Sequence, residues 1–403
     1  MNILQINSVY GSGSTGKIVY ELSEDLREMG HNVLTCYGLG PNDIDLYSFK
    51  VCSNIEHKFN AMWGRITGIP FGGMYLSNHR IKSVIHNFKP DIVHVHCVNC
   101  YILNVYSLLK YLAKNHIKTV LTLHAEIFHT AGCAHAYECD KWKIQCQNCT
   151  NYKQIVHSWF FDMSKISWKK MYNTINSFDK QDLIITAVSP WLTDRVRQST
   201  IMKSYNIECV NNGLNVSIFN FNKGNKLIER NCFEKVILFV TPYFNLKEND
   251  LKGGRYIFPI AKALPNYKFV VVIGNMTNDI KNVPNNVQIW GKAKNQEELR
   301  QLYSESDITL LLSRRETFSM VTAESLCCGT PVVGFKAGGP ESISLSDYSK
   351  FVEYGDINAL IDTIQDTLNK IYNRTEIEKQ ASKQFDSKQM SLKYYNIYKT
   401  LIK

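Results

Sequence analysis

The fold is indicated first at the amino end, where Ile3-Leu-Gln-Ile-Asn-Ser8 runs toward Gly11-Ser-Gly-Ser-Thr-Gly16. The first stretch has the apolar content of a buried strand, and the glycines then interrupt it. Ile18, Leu22 and Leu26 follow at the spacing of one helix face. A strand, a glycine-rich turn and a helix in this order are typical of a doubly wound α/β unit.

The glycine-rich turn also spells part of a phosphate-binding P-loop, which continues to Lys17. A P-loop needs Ser or Thr next, to bind Mg²⁺, but Ile18 stands there. This disfavours an ATPase or GTPase. We interpret the turn as one that lets a ligand approach the backbone closely.

Further strands rich in Val and Ile recur along the chain, as expected for strands buried on both faces of a parallel sheet. They are predicted at residues 32–37, 91–96, 119–124, 183–189, 235–240, 268–273, 286–290, 308–312 and 330–335. A polar stretch rich in Asn and Lys, residues 205–234, separates two series. We therefore predict an α/β protein with two Rossmann-like domains, residues 1–205 and 206–385. A C-terminal helix over 386–403 is expected to pack back on the first domain.

Composition limits the class of protein. The chain has 403 residues, 44% of them hydrophobic and 20% charged, which excludes bulk disorder, collagen-like repeats and a coiled coil. Its longest apolar runs, 236–240 and 269–273, fall far short of the ~20 residues that span a membrane. Residues 1–7 lack the basic segment of a secretory signal. We expect a cytoplasmic protein that could sit peripherally on the inner face of the cytoplasmic membrane.

The most specific motif is Ser313-Arg-Arg-Glu316-Thr-Phe-Ser-Met-Val-Thr-Ala-Glu324-Ser-Leu-Cys-Cys-Gly329-Thr-Pro-Val-Val. Glu316 falls in a predicted loop after a strand, where it could contact ligand hydroxyls. Glu324 falls one turn into the next helix and could accept both hydroxyl protons of a ribose. The helix dipole alone would explain either carboxylate singly, but not the whole string.

With these motifs in place, the chain resembles the retaining GT-B glycosyltransferases of family 4, or glycosyl transferases group 1, of the polysaccharide-building type. The matching segments cover nearly the whole length. They are the turn at 11–16, the strand ending at His124, Ser189-Pro-Trp-Leu, Asn212-Gly-Leu-Asn, Lys252-Gly253, the Glu316 and Glu324 pair, and Gly338-Gly-Pro-Glu. The resemblance implies two domains facing a central cleft, the first binding the acceptor and the second the nucleotide-sugar donor.

The resemblance implies that His124, Glu316 and Lys252 are catalytic, with Lys252 holding the diphosphate. A cation is chemically sensible there, because the leaving group is charged and no catalytic cofactor is expected. Acceptor contacts are expected at His96 and Glu126. Donor contacts are expected at Gly13, Gly16, Lys252, Arg314, Glu316, Thr317, Phe318, Ser319, Met320, Val321 and Glu324.

Two departures from the family pattern bear on function. The family Arg after the first donor-domain strand is absent from Val240-Thr-Pro-Tyr-Phe-Asn-Leu, leaving Arg314 or Arg315 as substitutes. Ala125 stands where members commonly have Asp.

We expect transfer from a UDP- or GDP-sugar to a hydroxyl of a glycan or lipid-linked oligosaccharide, with retention. Capsule, O-antigen or exopolysaccharide biosynthesis is the expected setting. A nucleotide-sugar epimerase, a soluble sucrose- or glucan-type transferase, and a non-catalytic binding protein with a decayed site stay open.

Four cysteines, Cys133, Cys139, Cys146 and Cys149, fall within one predicted loop and end in a Cys-x-x-Cys pair. This spacing can close a tetrahedral structural zinc site. Reduced thiols and disulfides are the alternatives, and His135 is an alternative ligand.

The next segment, Trp159-Phe-Phe-Asp-Met-Ser-Lys-Ile-Ser-Trp168-Lys-Lys-Met, is aromatic, basic and predicted to be helical. With the net charge of +10, it suits either an anionic membrane surface or an ordinary helix covering the sheet. No nucleic-acid-binding motif accompanies the charge, so we expect no nucleic-acid partner.

Overall fold

The computed structural model describes residues 1–42, 44–73, 76–222, 224, 226–230, 233, 235–248, 250–275 and 280–403. These residues form two compact units. Unit 1 comprises Met1–Asn212 with Met390–Lys403, and unit 2 comprises Gly213–Gln389. Residues 206–212, assigned from the sequence to the second domain, thus lie in unit 1.

Unit 1 is built on a seven-stranded parallel sheet with the order β3-β2-β1-β4-β5-β6-β7. The strands are β1 (Asn2–Val9), β2 (Asn32–Leu39), β3 (Ser48–Lys50), β4 (Ile92–Val95), β5 (Thr119–Leu123), β6 (Leu183–Ala187) and β7 (Asn206–Cys209). The strand order reverses between β1 and β4, where Ile3 pairs with Ile92. In such sheets ligands bind beyond the carboxyl ends of the strands at this reversal.

The helices of unit 1 are α1 (Gly13–Glu28), α2 (Asn54–Thr67), α3 (Leu76–Phe88), α4 (Val105–Lys114), α5 (Tyr152–Ile155), α6 (Ser164–Ile175) and α7 (Pro190–Gln198). The helix predicted from Trp159 begins only at Ser164. The last helix of the chain, α14 (Ser387–Ile402), contributes Tyr394 and Tyr398 to the core of this unit.

Unit 2 repeats the architecture with a six-stranded parallel sheet in the order β10-β9-β8-β11-β12-β13. Its strands are β8 (Lys235–Tyr243), β9 (Tyr267–Asn275), β10 (Val287–Gly291), β11 (Ile308–Leu311), β12 (Val332–Phe335) and β13 (Ser349–Val352). Its helices are α8 (Ile257–Ala263), α9 (Gln296–Glu305), α10 (Met320–Cys327), α11 (Gly339–Ile343), α12 (Ile357–Leu368) and α13 (Arg374–Phe385). The predicted α/β class with two doubly wound sheets is confirmed.

Three strands, β3, β7 and β13, have no counterpart in the sequence prediction. Each is an outermost strand of its sheet and only three or four residues long. Strands of three or four half-exposed residues lack the apolar run that identifies a longer strand.

Candidate active site

Lys252 and Glu316 form an ion pair in unit 2. Lys252 Nζ lies 2.6 Å from Glu316 Oε1, and both side chains are half-buried. Burial alone would lower the pKa of Lys252, but the adjacent Glu316 carboxylate raises it above its ordinary value. The site therefore holds a full positive charge at neutral pH, next to a carboxylate that a ligand could engage.

A glycine brings Lys252 to this position. Gly253 has a φ of +76°, and a Cβ there would lie only 2.1 Å from the carbonyl oxygen of Leu312. Only glycine lets the loop after β8 approach the end of β11 so closely. The backbone N–H of Arg314 then donates to the Leu251 carbonyl over 2.9 Å, which joins the two loops.

The backbone of Glu316 is held on both sides. Its N–H donates to Ala337 O over 3.0 Å, and its carbonyl accepts from Gly339 N over 2.9 Å. A Cβ on Gly339 would lie 2.4 Å from the backbone of Thr317, so this contact also requires glycine. The carboxylate is thus presented from a rigid loop.

Directly after this loop, α10 begins with Ser319 as its N-cap. Ser319 has a φ of +87°, which is strained for serine, and its Oγ accepts from Thr322 N over 3.2 Å. Thr317, Phe318 and Ser319 are buried, whereas Met320 and Val321 are half-exposed. The first N–H groups of a helix lack intrahelical partners, so this terminus favours an anion.

Glu324 lies one turn into α10, on the face of Met320 and Val321. Its Oε2 accepts a 3.0 Å hydrogen bond from the hydroxyl of Tyr303, which is buried. Of the other predicted donor residues, Arg314 is exposed beside Glu316. Lys252, Arg314, Glu316 and Glu324 thus occupy the loop after β8, the loop after β11 and the first turns of α10.

Three histidines lie at the carboxyl ends of β4 and β5 in unit 1. His124 Nε2 is 3.4 Å from His96 Nδ1, and the rings of His96 and His94 are 3.7 Å apart. His94 contacts the hydroxyls of Tyr398 and Thr122, each over 2.6 Å. Burial lowers the pKa of His124 to about 4, so its imidazole is neutral at pH 7.

Hydrogen bonds around Gln5 determine the tautomers of these rings. The Ser23 hydroxyl donates its one proton to the carbonyl oxygen of Val19. Ser23 Oγ must therefore accept from Gln5 Nε2, over 2.9 Å. Gln5 Oε1 then accepts from His96 Nε2, also over 2.9 Å. Burial, followed by the neighbouring histidines, lowers the pKa of His96 well below its ordinary value, so its Nδ1 carries a lone pair. His124 must therefore donate from Nε2 and leave Nδ1 as an acceptor.

Glu126 is fully buried, and its carboxylate is engaged within the protein. Arg195 Nε donates to Oε1 over 2.6 Å, and Ala136 N donates to Oε2 over 2.8 Å. Burial would raise the pKa of Glu126, but the hydrogen bond and charge of His129 and the charge of Arg195 lower it to about 2. In this arrangement Glu126 anchors the segment after His124 and does not present a free carboxylate to an acceptor.

The two predicted glycines of the first turn differ in their surroundings. Gly13 is exposed at the start of α1 with a φ of +64°. Gly16 is buried, and a Cβ there would meet the side chain of Val9 at 3.0 Å. Gly16 therefore lets α1 pack closely on β1, whereas Gly13 leaves the helix N-terminus open to a ligand.

Helix α2 carries a feature that the sequence analysis missed. Its polar residues Glu56 and Asn60 point into unit 1, and Glu56 Oε2 forms a 2.7 Å ion pair with Arg80. Its opposite face is an exposed apolar stripe of Ile55, Phe59, Met62, Trp63 and Ile66. The i, i+4, i+7, i+8, i+11 spacing was available in the sequence, but such a stripe normally faces a core.

The exposed segment Trp159-Phe-Phe161 lies at the end of α2, since Trp159 N donates to Arg65 O over 2.8 Å. Together the stripe and this segment form one surface, here termed the aromatic surface. Exposed apolar areas of this kind mark interaction sites. Among the described residues, no helix is both long and apolar enough to cross a membrane.

Comparison with known proteins agrees with the fold. A family model described as Glycosyl transferases group 1 matches residues 258–384. A second, described as Glycosyltransferase Family 4, matches residues 15–218. The fold and the two family models thus define a two-domain glycosyltransferase of the GT-B class. The chain belongs to Glycosyltransferase Family 4.

One curated relative covers nearly the whole chain at low identity, and another covers little more than a third of it. The N-acetyl-alpha-D-glucosaminyl L-malate synthase of Bacillus anthracis is 24% identical over 97% of this chain and 94% of its own length. A protein of Escherichia coli (strain K12), provisionally named a colanic acid biosynthesis glycosyl transferase, WcaC, is 26% identical over 37% of this chain and 39% of its own.

Two solved structures share the fold over the full length. Sucrose-phosphate synthase from Thermosynechococcus elongatus has a TM-score of 0.70 at 15% identity, covering 99% of this chain and 98% of its own. Anabaena Alr3699/HepE in complex with UDP and glucose has a TM-score of 0.65 at 15% identity, covering 99% of this chain and 100% of its own.

Proposed function

We propose that this glycosyltransferase transfers a sugar from a nucleoside-diphosphate donor, UDP- or GDP-linked, to an acceptor hydroxyl with retention of configuration. The observation that carries the proposal is the Lys252–Glu316 pair, clamped by Gly253 and Gly339 beside the N-terminus of α10. A cation and a helix N-terminus together suit a diphosphate. Glu324, oriented by Tyr303, suits the ribose diol.

The proposed chemistry needs no covalent intermediate on the protein. Lys252 stabilises the negative charge that develops on the departing diphosphate, which favours cleavage of the glycosidic bond. A departing phosphate oxygen accepts the proton of the acceptor hydroxyl as that hydroxyl attacks from the same face. Ligand binding would exchange the Lys252–Glu316 ion pair for contacts of Lys252 with phosphate and of Glu316 with sugar hydroxyls.

Donor binding is tested by thermal shift with UDP-, GDP-, ADP- and CMP-sugars. A nucleotide present at a free concentration of 100 times its Kd should stabilise the protein by about 2.7 kcal/mol. We expect one nucleotide series to raise Tm in the wild type and in Asp362→Ala, which removes an exposed carboxylate of α12. Glu324→Ala should lose the shift. If none of the nucleotides raises Tm, the proposed donor site is wrong.

We propose that the acceptor is lipid-linked and that the aromatic surface contacts an anionic membrane, in polysaccharide biosynthesis. The outward face of α2 supports this, because Trp63 and Phe59 are exposed while the polar face is buried. Lys58 and Arg65 are exposed on α2, and Lys165 is exposed near the start of α6, a few residues after Phe161. These cations would attract anionic headgroups. The partial match to WcaC also favours a polysaccharide setting.

Vesicle sedimentation tests the membrane contact. The wild type should bind vesicles containing phosphatidylglycerol and bind phosphatidylcholine vesicles more weakly. Trp63→Ser with Phe160→Ser should lose binding, whereas Leu392→Ser, an exposed apolar residue on α14, should keep it. Equal sedimentation of all variants would refute a role for the aromatic surface.

A small hydroxy acid is a second candidate acceptor. The match to the N-acetyl-alpha-D-glucosaminyl L-malate synthase, which covers 97% of this chain, favours it. Product analysis separates the two acceptors. Transfer to L-malate in buffer, with no transfer to lipid-linked acceptors in vesicles, would replace the lipid-linked proposal.

A further inference from the structure

The cysteine loop, residues 133–149, holds a cluster of thiols outside the donor site. Cys133, Cys139, Cys146 and Cys149 are all free thiols, and all four line one cavity of about 20 Å³. The cavity has room for a single particle of water size. Thr130 and Trp142 also line it, so it lies against the core of unit 1.

We propose that these four cysteines bind one structural zinc ion. Four thiolates at Zn–S distances of about 2.3 Å form a closed tetrahedral site, with no position left for chemistry. Binding forms four Zn–S bonds, and the four thiol protons are released to solvent. The filled site carries two net negative charges.

A cation of the loop offsets this charge. Lys141 lines the same cavity, and its Nζ donates to the carbonyls of Gln147 and Asn148 over 3.3 and 2.8 Å. These bonds hold the turn between Cys146 and Cys149. Backbone N–H groups of the other two cysteines are also bonded: Cys133 N donates to Thr130 Oγ1, and Cys139 N donates to Ala136 O. Cys149 N donates to Asp162 Oδ2.

The sulfur atoms would need to move inward. Within the described part of the chain, His116, Asp179 and Asp182 form the only group in which three metal-ligating side-chain atoms lie within 4.8 Å of one another. The first two of these residues are exposed. No three of the loop sulfur atoms are that close. The loop thiols surround their cavity at wider spacing. The proposed site therefore requires the cysteine side chains to rotate toward the cavity, until each sulfur lies about 2.3 Å from the ion.

The zinc would secure the segment that follows His124. Glu126 accepts from Ala136 N inside the loop, and Arg195, paired with Glu126, lies 4.6 Å over the ring of Trp142. The loop is therefore built onto the same strand end as His124. Little regular structure forms within the loop beyond a 3₁₀ turn at Lys141–Lys143, so a metal would supply stability that packing does not.

The experiment measures the metal content of the full-length chain, purified without a metal-affinity tag and under reducing conditions. We expect about one zinc per chain, as in other four-thiolate sites. Cys139→Ser removes an exposed thiol and should lower zinc affinity more than about tenfold. The matched control Cys209→Ser, an exposed cysteine of β7, should retain the zinc.

Cobalt substitution tests the site without any variant. Co²⁺ replacing zinc should give the thiolate charge-transfer and d–d absorption bands of tetrahedral sulfur coordination. Wild-type protein with its thiols reduced, no bound zinc and no such bands would overturn the proposal. Disulfides among the four cysteines in freshly isolated protein, or an iron-sulfur chromophore, would overturn it as well.

Discussion

At the carboxyl ends of β4 and β5 in unit 1, the polar side chains are buried and bonded to one another. His94, His96 and Gln5 are all fully buried or nearly so. At the corresponding edge of unit 2, Lys252 and Glu316 are half-exposed and paired across two loops. The same type of sheet thus holds a neutral, interlocked network in one unit and accessible charges in the other.

The difference follows from the cost of burial. A neutral imidazole can be buried when both ring nitrogens have partners, whereas an isolated buried charge is very costly. Charged side chains that bind a ligand must therefore stay near solvent. Their loops are positioned by close backbone contacts such as those of Gly253 and Gly339. Substitutions in unit 2 should change ligand affinity and rate, and substitutions in unit 1 should change stability first.

The largest effect is expected at Lys252. Lys252→Ala removes the cation proposed to stabilise the leaving diphosphate, so kcat/KM should fall by about 10²–10³-fold. Steady-state kinetics with the donor found by thermal shift measures this. Lys262→Ala, an exposed lysine of α8, serves as control and should remain within about twofold. Equal rates for both variants would contradict the role of Lys252.

A smaller effect, on stability, is expected at Glu126. Its pKa of about 2 in the folded protein lies below the ordinary 4.5, so its contribution is complete above pH 4.5. That contribution is lost as the pH falls toward 2. Glu126→Gln should lower the free energy of unfolding by about 3 kcal/mol at pH 7, and the difference should narrow below pH 4.5.

Urea unfolding at several pH values measures this dependence. Glu24→Gln, in an exposed ion pair with Arg27, should change stability by less than about 1 kcal/mol at any pH. A Glu126→Gln difference that stays constant from pH 7 to pH 3 would show that the buried carboxylate is not the source.

The histidine network should respond next. Tyr398→Phe removes the hydroxyl that contacts His94 Nδ1 over 2.6 Å, in a fully buried place. The unfolding free energy should fall by about 1–3 kcal/mol. Tyr395→Phe, on the same helix but stacked on His31, should stay within about 0.5 kcal/mol. If the two variants have equal free energies of unfolding, the hydrogen bond of Tyr398 does not stabilise the histidine network as described.

The smallest effect is expected at Tyr303. Its hydroxyl orients Glu324, and burial and then the Glu324 charge raise the pKa of Tyr303 well above 10, so it remains a donor. Tyr303→Phe should weaken nucleotide binding by about fivefold, or ~1 kcal/mol. Calorimetric titration measures the Kd, with Tyr267→Phe as control. Unchanged affinity would mean that Glu324 needs no such support.

Much of the fold could be predicted from local sequence. The central strands are continuous apolar runs, and the glycine turns at 11–16 and 338–339 punctuate them. The edge strands β3, β7 and β13 could not be predicted, because three or four half-exposed residues carry no comparable signal. Their pairing depends on neighbours such as Ala187, which faces Cys209 across the sheet.

The candidate site was also only partly predictable. Glu316 and Glu324 stand in one motif with distinctive spacing, whereas Lys252 was indicated only by the resemblance to the family. Their joining into one site depends on Gly253 and Leu312, which are far apart in the chain. Glu126 was expected to reach an acceptor because it follows His124, but it is engaged by Arg195 from another helix.

By itself, the sequence determined the strand–helix alternation, the two sheets and the residues that carry charge, because these depend on neighbours within a few positions. The tertiary structure alone decided which polar side chains are buried and paired and which apolar side chains are exposed. His96 acquires its tautomer from Gln5, and α2 turns its apolar stripe to solvent because Glu56 is buried against Arg80. Both outcomes rest on contacts between residues distant in sequence, where hydrogen bonding and desolvation outweigh local pattern.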